Sequence, residues 1–378
     1  MKSRVAKAHK EERKEIFNKR FGVVFHGEDN LKSLENENLI ENSPTASQCA
    51  WIYESFLCGA GFEVEMNVDL SSNFWETKTA NDLLYDVGES VSKHQGCFIQ
   101  VRYNALYEKA GYEVFPYTAC KSGKKDSVGY AGKIIYSPEG WGKSLNKKKV
   151  KEFDSYNPDP EIIQEQVEAA GGWEHYNGQM MFFKIDSKYT YPKSKIEKVE
   201  RFADAEYHIG LFYSSLCKRG FTDITTIRHR AFDNPAEENK FFNDAQQVTG
   251  IENACSVWML EDDWDDESEK NGKFIFGNIK SDQKPDRYSH VEQSSSNFIR
   301  KAFNIPPQLI DFVQGKLGAT SGEDLIKAQS IYNASIAREK DKISNLFREL
   351  FRNFEEPINP ENNWAIKQYS LLDDGTVN

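Results

Sequence analysis

The sequence has no long apolar run. Its 378 residues contain no stretch that approaches about eighteen consecutive apolar residues, the length that a membrane-spanning helix requires. The first twenty residues are charged and lack the apolar core of a secretory signal. We therefore expect a protein that is made in the cytoplasm and has no membrane partner.

Cysteine and histidine are few and scattered. The six cysteines include no C-x-x-C pair, and the seven histidines include no H-E-x-x-H or H-x-x-x-H pair. In a long chain, isolated thiols are typical of buried, unpaired side chains, whereas disulfide frameworks and zinc sites show recognisable spacings. The sequence predicts neither a disulfide framework nor a metal site.

Complete catalytic motifs are also missing. Gly142-Lys143-Ser144 resembles the end of a phosphate-binding loop, but Ser137 occupies the position of its first glycine. The acidic run 261–267 lacks the glycine and the spaced glutamate of a calcium-binding EF-hand, and no G-x-S-x-G sequence announces a nucleophilic serine. We predict no catalytic residue, no cofactor and no enzymatic activity.

The charge balance is acidic. The chain has 59 Asp and Glu against 48 Lys and Arg, a formal net charge of −11. This balance argues against tight binding of nucleic acid by phosphate neutralisation. It is equally compatible with a wall that surrounds DNA and lets it slide, because an acidic surface repels the duplex. The net charge therefore does not distinguish a protein that does not bind DNA from one that surrounds it.

Hydrophobic residues make up 39% of the chain and recur with both helical and strand periods, which predicts an α+β fold. Predicted strands cover residues 64–68, 97–103, 114–117, 132–136, 180–185, 257–260 and 273–279. Predicted helices cover residues 11–21, 43–58, 79–95, 159–170, 193–219, 234–250, 290–303 and 321–354. The 193–219 helix would be about 40 Å long. Gly96 is expected to end the 79–95 helix. The segment 221–233 is a predicted loop, and the tail beyond Pro357 is expected to be loose.

The ordered elements from residue 189 to residue 354 resemble the portal protein family of tailed bacteriophages. The most specific stretch is 296–310, an amphipathic helix that leads into Ile305-Pro306-Pro307 and an apolar pair. A loop with Gly and Ser at 315–322 and a long helix at 323–354 follow. Upstream, the segment 244–260 with Gly250, Asn253 and Ala254 is similar to a helix–Gly–Asn-Ala–strand passage of the family, and residues 43–62 are similar to its early helix.

The resemblance implies a portal fold with wing, stem, clip and crown regions. The boundaries that we expect are an N-terminal arm (1–42), a wing (43–156), a stem and clip region (157–192), a stem helix (193–220), a tunnel loop (221–233), a wing helix with a β-hairpin (234–320) and a crown helix with its tail (321–378).

The same resemblance implies three sets of functional residues. Stem packing against neighbouring subunits is assigned to Ile196, Val199, Tyr213 and Leu216. A partner surface on the clip is assigned to Trp173, Tyr176, Phe182 and Phe183, with ordinary core packing as an equal alternative. A tunnel loop that faces DNA is assigned to Thr225, Thr226, Arg228, His229 and Arg230, with ion pairing to an adjacent subunit as the alternative for the arginines.

The partners that the resemblance implies are other copies of the chain in a ring of twelve, the terminase large subunit, a head–tail adaptor, the major capsid and scaffold proteins, and double-stranded DNA that passes without sequence specificity. The implied location is the portal vertex of the virion, with assembly in the host cytoplasm. Two alternatives stay open: another ring-forming head–tail connector, and an unrecognised DNA-processing enzyme.

Overall fold

The chain divides into two compact units in the computed structural model. Unit 1 comprises residues 1–203 and 297–378, and unit 2 comprises residues 204–296. The structure describes residues 15–64, 66, 70, 78–141, 149–186, 188–218, 224–229, 234–236, 238–240, 243, 257–261, 274–279, 285–310 and 322–369. Among the helices of these residues, none is long and apolar enough to span a bilayer.

A six-stranded sheet forms one layer of unit 1. A short hairpin of β1 (Phe17–Asn18) and β2 (Val23–Val24) precedes it in the chain. The six strands run in the order β4-β3-β8-β7-β6-β5, and all neighbours are antiparallel except β7 and β8. Their bounds are β3 Gly96–Tyr103, β4 Lys109–Phe115, β5 Cys120–Ser122, β6 Lys133–Tyr136, β7 Lys151–Ser155 and β8 Gln179–Lys184.

Seven α-helices have defined bounds within the described residues. They are α1 Lys32–Asn42, α2 Pro44–Cys58, α3 Ala80–His94, α4 Pro160–Ala170, α5 Glu200–Lys218, α6 Pro285–Ala302 and α7 Gly322–Leu350. Side-chain caps fix several helix starts, as predicted. The Ser43 hydroxyl accepts from the Ala46 amide, and Thr79 forms a reciprocal capping box with Asp82. Such caps satisfy backbone donors that the first helical turn leaves unpaired.

Helix α7 is the central element of the main core. Its inner face, which includes Tyr332, Ile343, Phe347 and Leu350, is buried among side chains of α2, α3 and β3. Its C-terminal carbonyls are held by β4: Lys109 Nζ donates to the Glu349 carbonyl at 2.7 Å, and the Tyr112 hydroxyl donates to the Leu350 carbonyl. A cation at the end of a helix also favours the helix dipole.

The chain ends proved more ordered than the sequence indicated. Within the predicted N-terminal arm, residues 17–18 form a strand instead of the predicted helix, and residues 32–42 form α1. At the other end, Trp364 is buried against Phe62 and Phe347, and the Lys367 amide donates to the Gly61 carbonyl at 2.9 Å. The expectation of a loose tail is therefore wrong up to residue 369, because one buried indole anchors the segment.

Other sequence predictions were confirmed with small shifts. The left-handed residue after α3 is Gln95 (φ 61°) instead of Gly96, which begins β3. The four cysteines whose side chains are described, Cys49, Cys58, Cys97 and Cys120, are buried and form no disulfide. The predicted strand at 64–68 and the segments 142–144 and 262–267 lie wholly or largely outside the described residues.

A buried lysine marks a second, smaller core beneath α1. Lys121 on β5 is 0% exposed, and its ammonium donates to the Ser33 hydroxyl of α1 at 2.9 Å. Burial lowers the pKa of Lys121 from 10.5 to about 7, since desolvation penalises the charged form. The folded protein therefore holds this amine largely neutral above pH 7.

Lys121 predicts a rise in stability with pH. Because its folded pKa lies below its unfolded value, the unfolded chain binds more protons between about pH 7 and 10, so the free energy of unfolding increases across that window, by up to about 1.4 kcal/mol per pH unit. Urea unfolding of the wild type and of Lys121→Met at pH 7 and 8.5 measures this increase in the free energy of unfolding. The increase with pH should be smaller in the variant than in the wild type, and equal increases would contradict the prediction.

Candidate functional site

The helix that was predicted at 193–219 is shorter than expected at its N-terminus. Residues 196–198 form a single 3-10 turn, Val199 leaves helical geometry (φ −133°), and α5 begins at Glu200. A buried carboxylate explains the break: Glu197 accepts from the Ser194 amide at 3.1 Å and from Asn36 Nδ2 at 3.1 Å. The 19 residues of α5 correspond to about 28 Å.

The assignment of stem packing is wrong for two of its four residues. Ile196 is 0% exposed and Val199 is buried, and both belong to the main core of unit 1. They therefore have no surface for a neighbouring subunit. Tyr213 lies half-buried on α5, and the side chain of Leu216 lies outside the described residues, so their role stays a prediction.

A polar cluster fixes the segment that leads into α5. Lys195 Nζ lies 3.9 Å from the centre of the Tyr53 ring and 3.4 Å from a Glu339 carboxylate oxygen. The Tyr53 hydroxyl donates to Glu339 at 2.6 Å and accepts from Gln95 Nε2 at 3.3 Å. Burial lowers the pKa of Lys195 and raises the pKa of Tyr53 well above its usual value, with Glu339 adding to the rise for Tyr53.

Helix α6 returns the chain to unit 1 beside the start of α5. Phe298 stacks on Phe202 with ring centres 4.5 Å apart. The helix ends before Ile305-Pro306-Pro307, as predicted. Asn304 adopts left-handed geometry (φ 58°), its amide donates to the Lys301 carbonyl, and the Ile305 amide donates to the Arg300 carbonyl. This pattern is a Schellman motif, which satisfies the last helical carbonyls.

Between α5 and α6, unit 2 contains a small mixed sheet. Strands β9 (Ile224–His229), β10 (Val257–Glu261) and β11 (Phe274–Ile279) run in the order β10-β9-β11. β10 is parallel to the central β9, and β11 is antiparallel to it.

The predicted tunnel loop at 221–233 is therefore wrong over 224–229. Thr225 is paired with Val257 and Asn278, and the strand also contains Thr226, Arg228 and His229. Arg230 lies outside the described residues. The run Ile224-Thr-Thr-Ile is rich in β-branched residues and was the signal for a strand. Beyond it, Asn234 Oδ1 accepts from the Ala236 amide at 3.0 Å, and the described residues among 235–243 are helical, as predicted.

The four residues of the predicted partner surface are not all at the surface of unit 1. β8 pairs with both β3 and β7, so the expected boundary at 156/157 falls within one sheet. Phe182 on β8 stacks on Phe98 at 4.1 Å, and Phe183 packs against the main core, so both fit the core alternative. Trp173 (36% exposed) and the half-buried Tyr176 lie at the surface, on the loop before β8, and keep the partner role as a prediction.

The described elements form a large α+β unit and a smaller unit whose three strands lie between α5 and α6 in the chain. No protein-family model and no curated protein sequence matches the chain. Solved structures do match it.

A chain in the neck of an empty gene transfer agent (GTA) particle, computed with C6 symmetry, matches with a TM-score of 0.53 at 10% identity, over 86% of this chain and 82% of that one. A chain of the native GTA virion matches with a TM-score of 0.51 at 11% identity, over 84% and 80%. An HK97 family phage portal protein from Corynebacterium diphtheriae aligns over 74% and 80% at 7% identity, but its TM-score of 0.39 carries no weight.

These similarities establish a shared fold. The α+β class predicted from the sequence is confirmed, and the chain shares its fold with a chain of the GTA neck and a chain of the GTA virion. The division into wing, stem, clip and crown stays a prediction.

The Lys195–Glu339 pair predicts a large loss of stability when Glu339 is replaced by the uncharged glutamine. Glu339→Gln leaves the buried ammonium without its counter-charge, so the free energy of unfolding should fall by roughly 3 kcal/mol. Chemical denaturation measures the loss. In the double variant Lys195→Met/Glu339→Gln the loss should be smaller than in the single variant, because no buried charge is left unpaired; a single variant within about 0.5 kcal/mol of the wild type would refute the role of the pair.

Proposed function

We propose that the chain is a subunit of a portal ring at one vertex of a capsid, through which double-stranded DNA is packaged and ejected without sequence specificity. The observation that carries the proposal is the fold shared with a GTA neck chain over most of both chains. C6 symmetry is compatible with the ring of twelve that the portal resemblance implies.

We assign the stem and the clip to unit 2, in place of the segment 157–192. In the portal family the clip lies between two stem helices. Here α5 and α6 flank the sheet of β9, β10 and β11. The stem helices are then α5 and α6, and the sheet is the clip.

The electrostatics of α5 support a wall that does not hold DNA. Asp204 and His208 are well exposed, with side chains 3.5 Å apart. Glu200 is engaged by Lys32 at 2.9 Å, and Glu197 is buried. Asp204 is therefore the acidic residue of this stretch that is best suited to face a channel, where its charge would disfavour phosphate adhesion.

The partners of the proposed ring are those of a portal: a terminase motor, in which ATP hydrolysis would reside, a head–tail adaptor, and capsid and scaffold proteins. The ring belongs to the virion and assembles in the host cytoplasm. A different head–tail connector is the second candidate, because the GTA match concerns a neck. A DNA-processing enzyme would instead need a cluster of catalytic groups.

Particle mass and shape test the proposal. Twelve copies of the 43.4 kDa chain give about 520 kDa, so light scattering of the purified full chain should report that mass, and negative-stain images should show a ring with a central hole. A monomer that persists at high concentration and with scaffold protein present would exclude the ring. A ring that cleaves or modifies DNA would favour the enzyme alternative.

A further inference from the structure

Two loops of unit 1 expose apolar side chains at opposite ends and opposite edges of the six-stranded sheet. One is the β3–β4 turn at 104–108, which adjoins the loop 171–178 before β8. The other is the β5–β6 loop at 123–132. Val101, Gln179, Asp154 and Lys133 lie side by side across the sheet, and β6 runs antiparallel to β8. The loops that precede Gln179 and Lys133 therefore leave the sheet at opposite ends, and the β3–β4 turn lies at the same end as the loop before Gln179.

The first pair of loops forms an acidic edge, defined here by Leu106, Tyr107, Trp173, Glu168 and Glu174. Leu106 is 75% exposed, and the Tyr107 ring lies 5.6 Å from the Trp173 ring. The segment 157–179 contains five Asp and Glu residues and no Lys or Arg.

Hydrogen bonds hold the acidic edge in shape. The Asn104 carbonyl oxygen Oδ1 accepts from the Leu106 and Glu108 amides, and Gln100 Nε2 donates to the Asn177 carbonyl at 2.6 Å. Tyr107 is held in left-handed geometry (φ 63°), which a tyrosine adopts only where its surroundings enforce it. The apolar side chains are therefore presented by a fixed frame.

The β5–β6 loop forms a basic edge, defined here by Lys124, Lys125, Val128, Tyr130 and Lys133. Val128 is 86% exposed, and Tyr130 is exposed beside it. Asp126 Oδ1 accepts from the Val128 and Tyr130 amides at 2.9 Å, so this loop also has a fixed frame. Of the four lysines in the segment 121–133, Lys121 is buried, Lys124 and Lys125 lie on the loop, and Lys133 forms an ion pair with Glu152 at 3.0 Å.

The two edges are complementary and cannot meet within one chain. Five strand spacings separate β4 from β5, about 24 Å at the usual 4.8 Å. One edge combines apolar side chains with carboxylates, and the other combines them with ammonium groups. A surface that carries both halves of an interface on opposite sides favours head-to-tail association, which closes into a ring when the rotation between copies closes.

We propose that the acidic edge of one subunit binds the basic edge of a second copy of this chain. The inference rests on the proposed ring and specifies one of its subunit contacts. Apolar contacts between Leu106 or Trp173 and Val128 or Tyr130 would supply the buried area, and the opposite charges would fix the orientation and exclude like pairs.

Charge reversal tests the pairing in the full chain. The basic-edge variant is Lys124→Glu/Lys125→Glu, which leaves the Lys133–Glu152 ion pair intact, and the acidic-edge variant is Glu168→Lys/Glu174→Lys. Each alone should raise the concentration needed for half-assembly by about tenfold or more, because like charges then face each other. The matched control is Arg338→Glu/Arg348→Glu on the exposed face of α7, which should assemble like the wild type.

Rescue is the decisive measurement. An equal mixture of the two variants can alternate around an even-numbered ring, and a chain with all four substitutions carries both edges exchanged, so native mass spectrometry should show assembly restored in both cases. Val128→Ser should weaken assembly without any change of charge. Thermal unfolding of each variant confirms that it is folded.

The outcomes separate the contact from the ring itself. A wild type that forms rings while both reversals assemble normally overturns the contact and leaves the portal proposal intact. Reversals that disrupt assembly without rescue show that the two edges bind different partners, such as a basic segment of another protein, and overturn the pairing. A wild type that stays monomeric overturns both proposals.

Discussion

The burial of Lys195 is the constraint on which the arrangement of unit 1 depends. Its ammonium lies against the Tyr53 ring and near Glu339, while Gln95 completes the hydrogen bonding of the tyrosine. These residues come from α2, the end of α3, the segment before α5 and the middle of α7. A charge that is this well buried is tolerated only with its partners in place, so the cluster fixes where the chain leaves the core and enters α5.

Two features of unit 1 follow from that anchored core. Helix α7 buries one face along most of its length, and the buried Trp364 ties the segment after it back onto Phe62 and Phe347. The sheet, in turn, is held against the helices by main-core side chains of β3, while the loops at 104–108 and 123–132 expose apolar side chains at the surface. A rigid unit with two dissimilar exposed loops is suited to assembly into a ring, which is the function proposed here.

Much of the local structure could be predicted from particular residues. Ser43-Pro44, Thr79 with Asp82, and Asp159-Pro160 each mark a helix start that the structure contains, because capping depends on neighbours in the sequence. The functional assignments fared differently. Ile196 and Val199 continue the apolar period of α5, and only the contacts of Glu197 with Ser194 and Asn36 show that the helix starts later and that both side chains are buried.

The sequence by itself determined the α+β class, the capped helices, the end of α6 before its two prolines and the absence of complete catalytic motifs, since each depends on short-range periodicity, capping or spacing. Only the tertiary structure decided that Phe182 belongs to the core, that 224–229 is the central strand of a sheet, and that acidic and basic loops lie at opposite edges and opposite ends of one sheet. Those facts depend on pairing between residues far apart in the chain, and hydrophobic periodicity along one segment carries no information about which distant segment it will pair with.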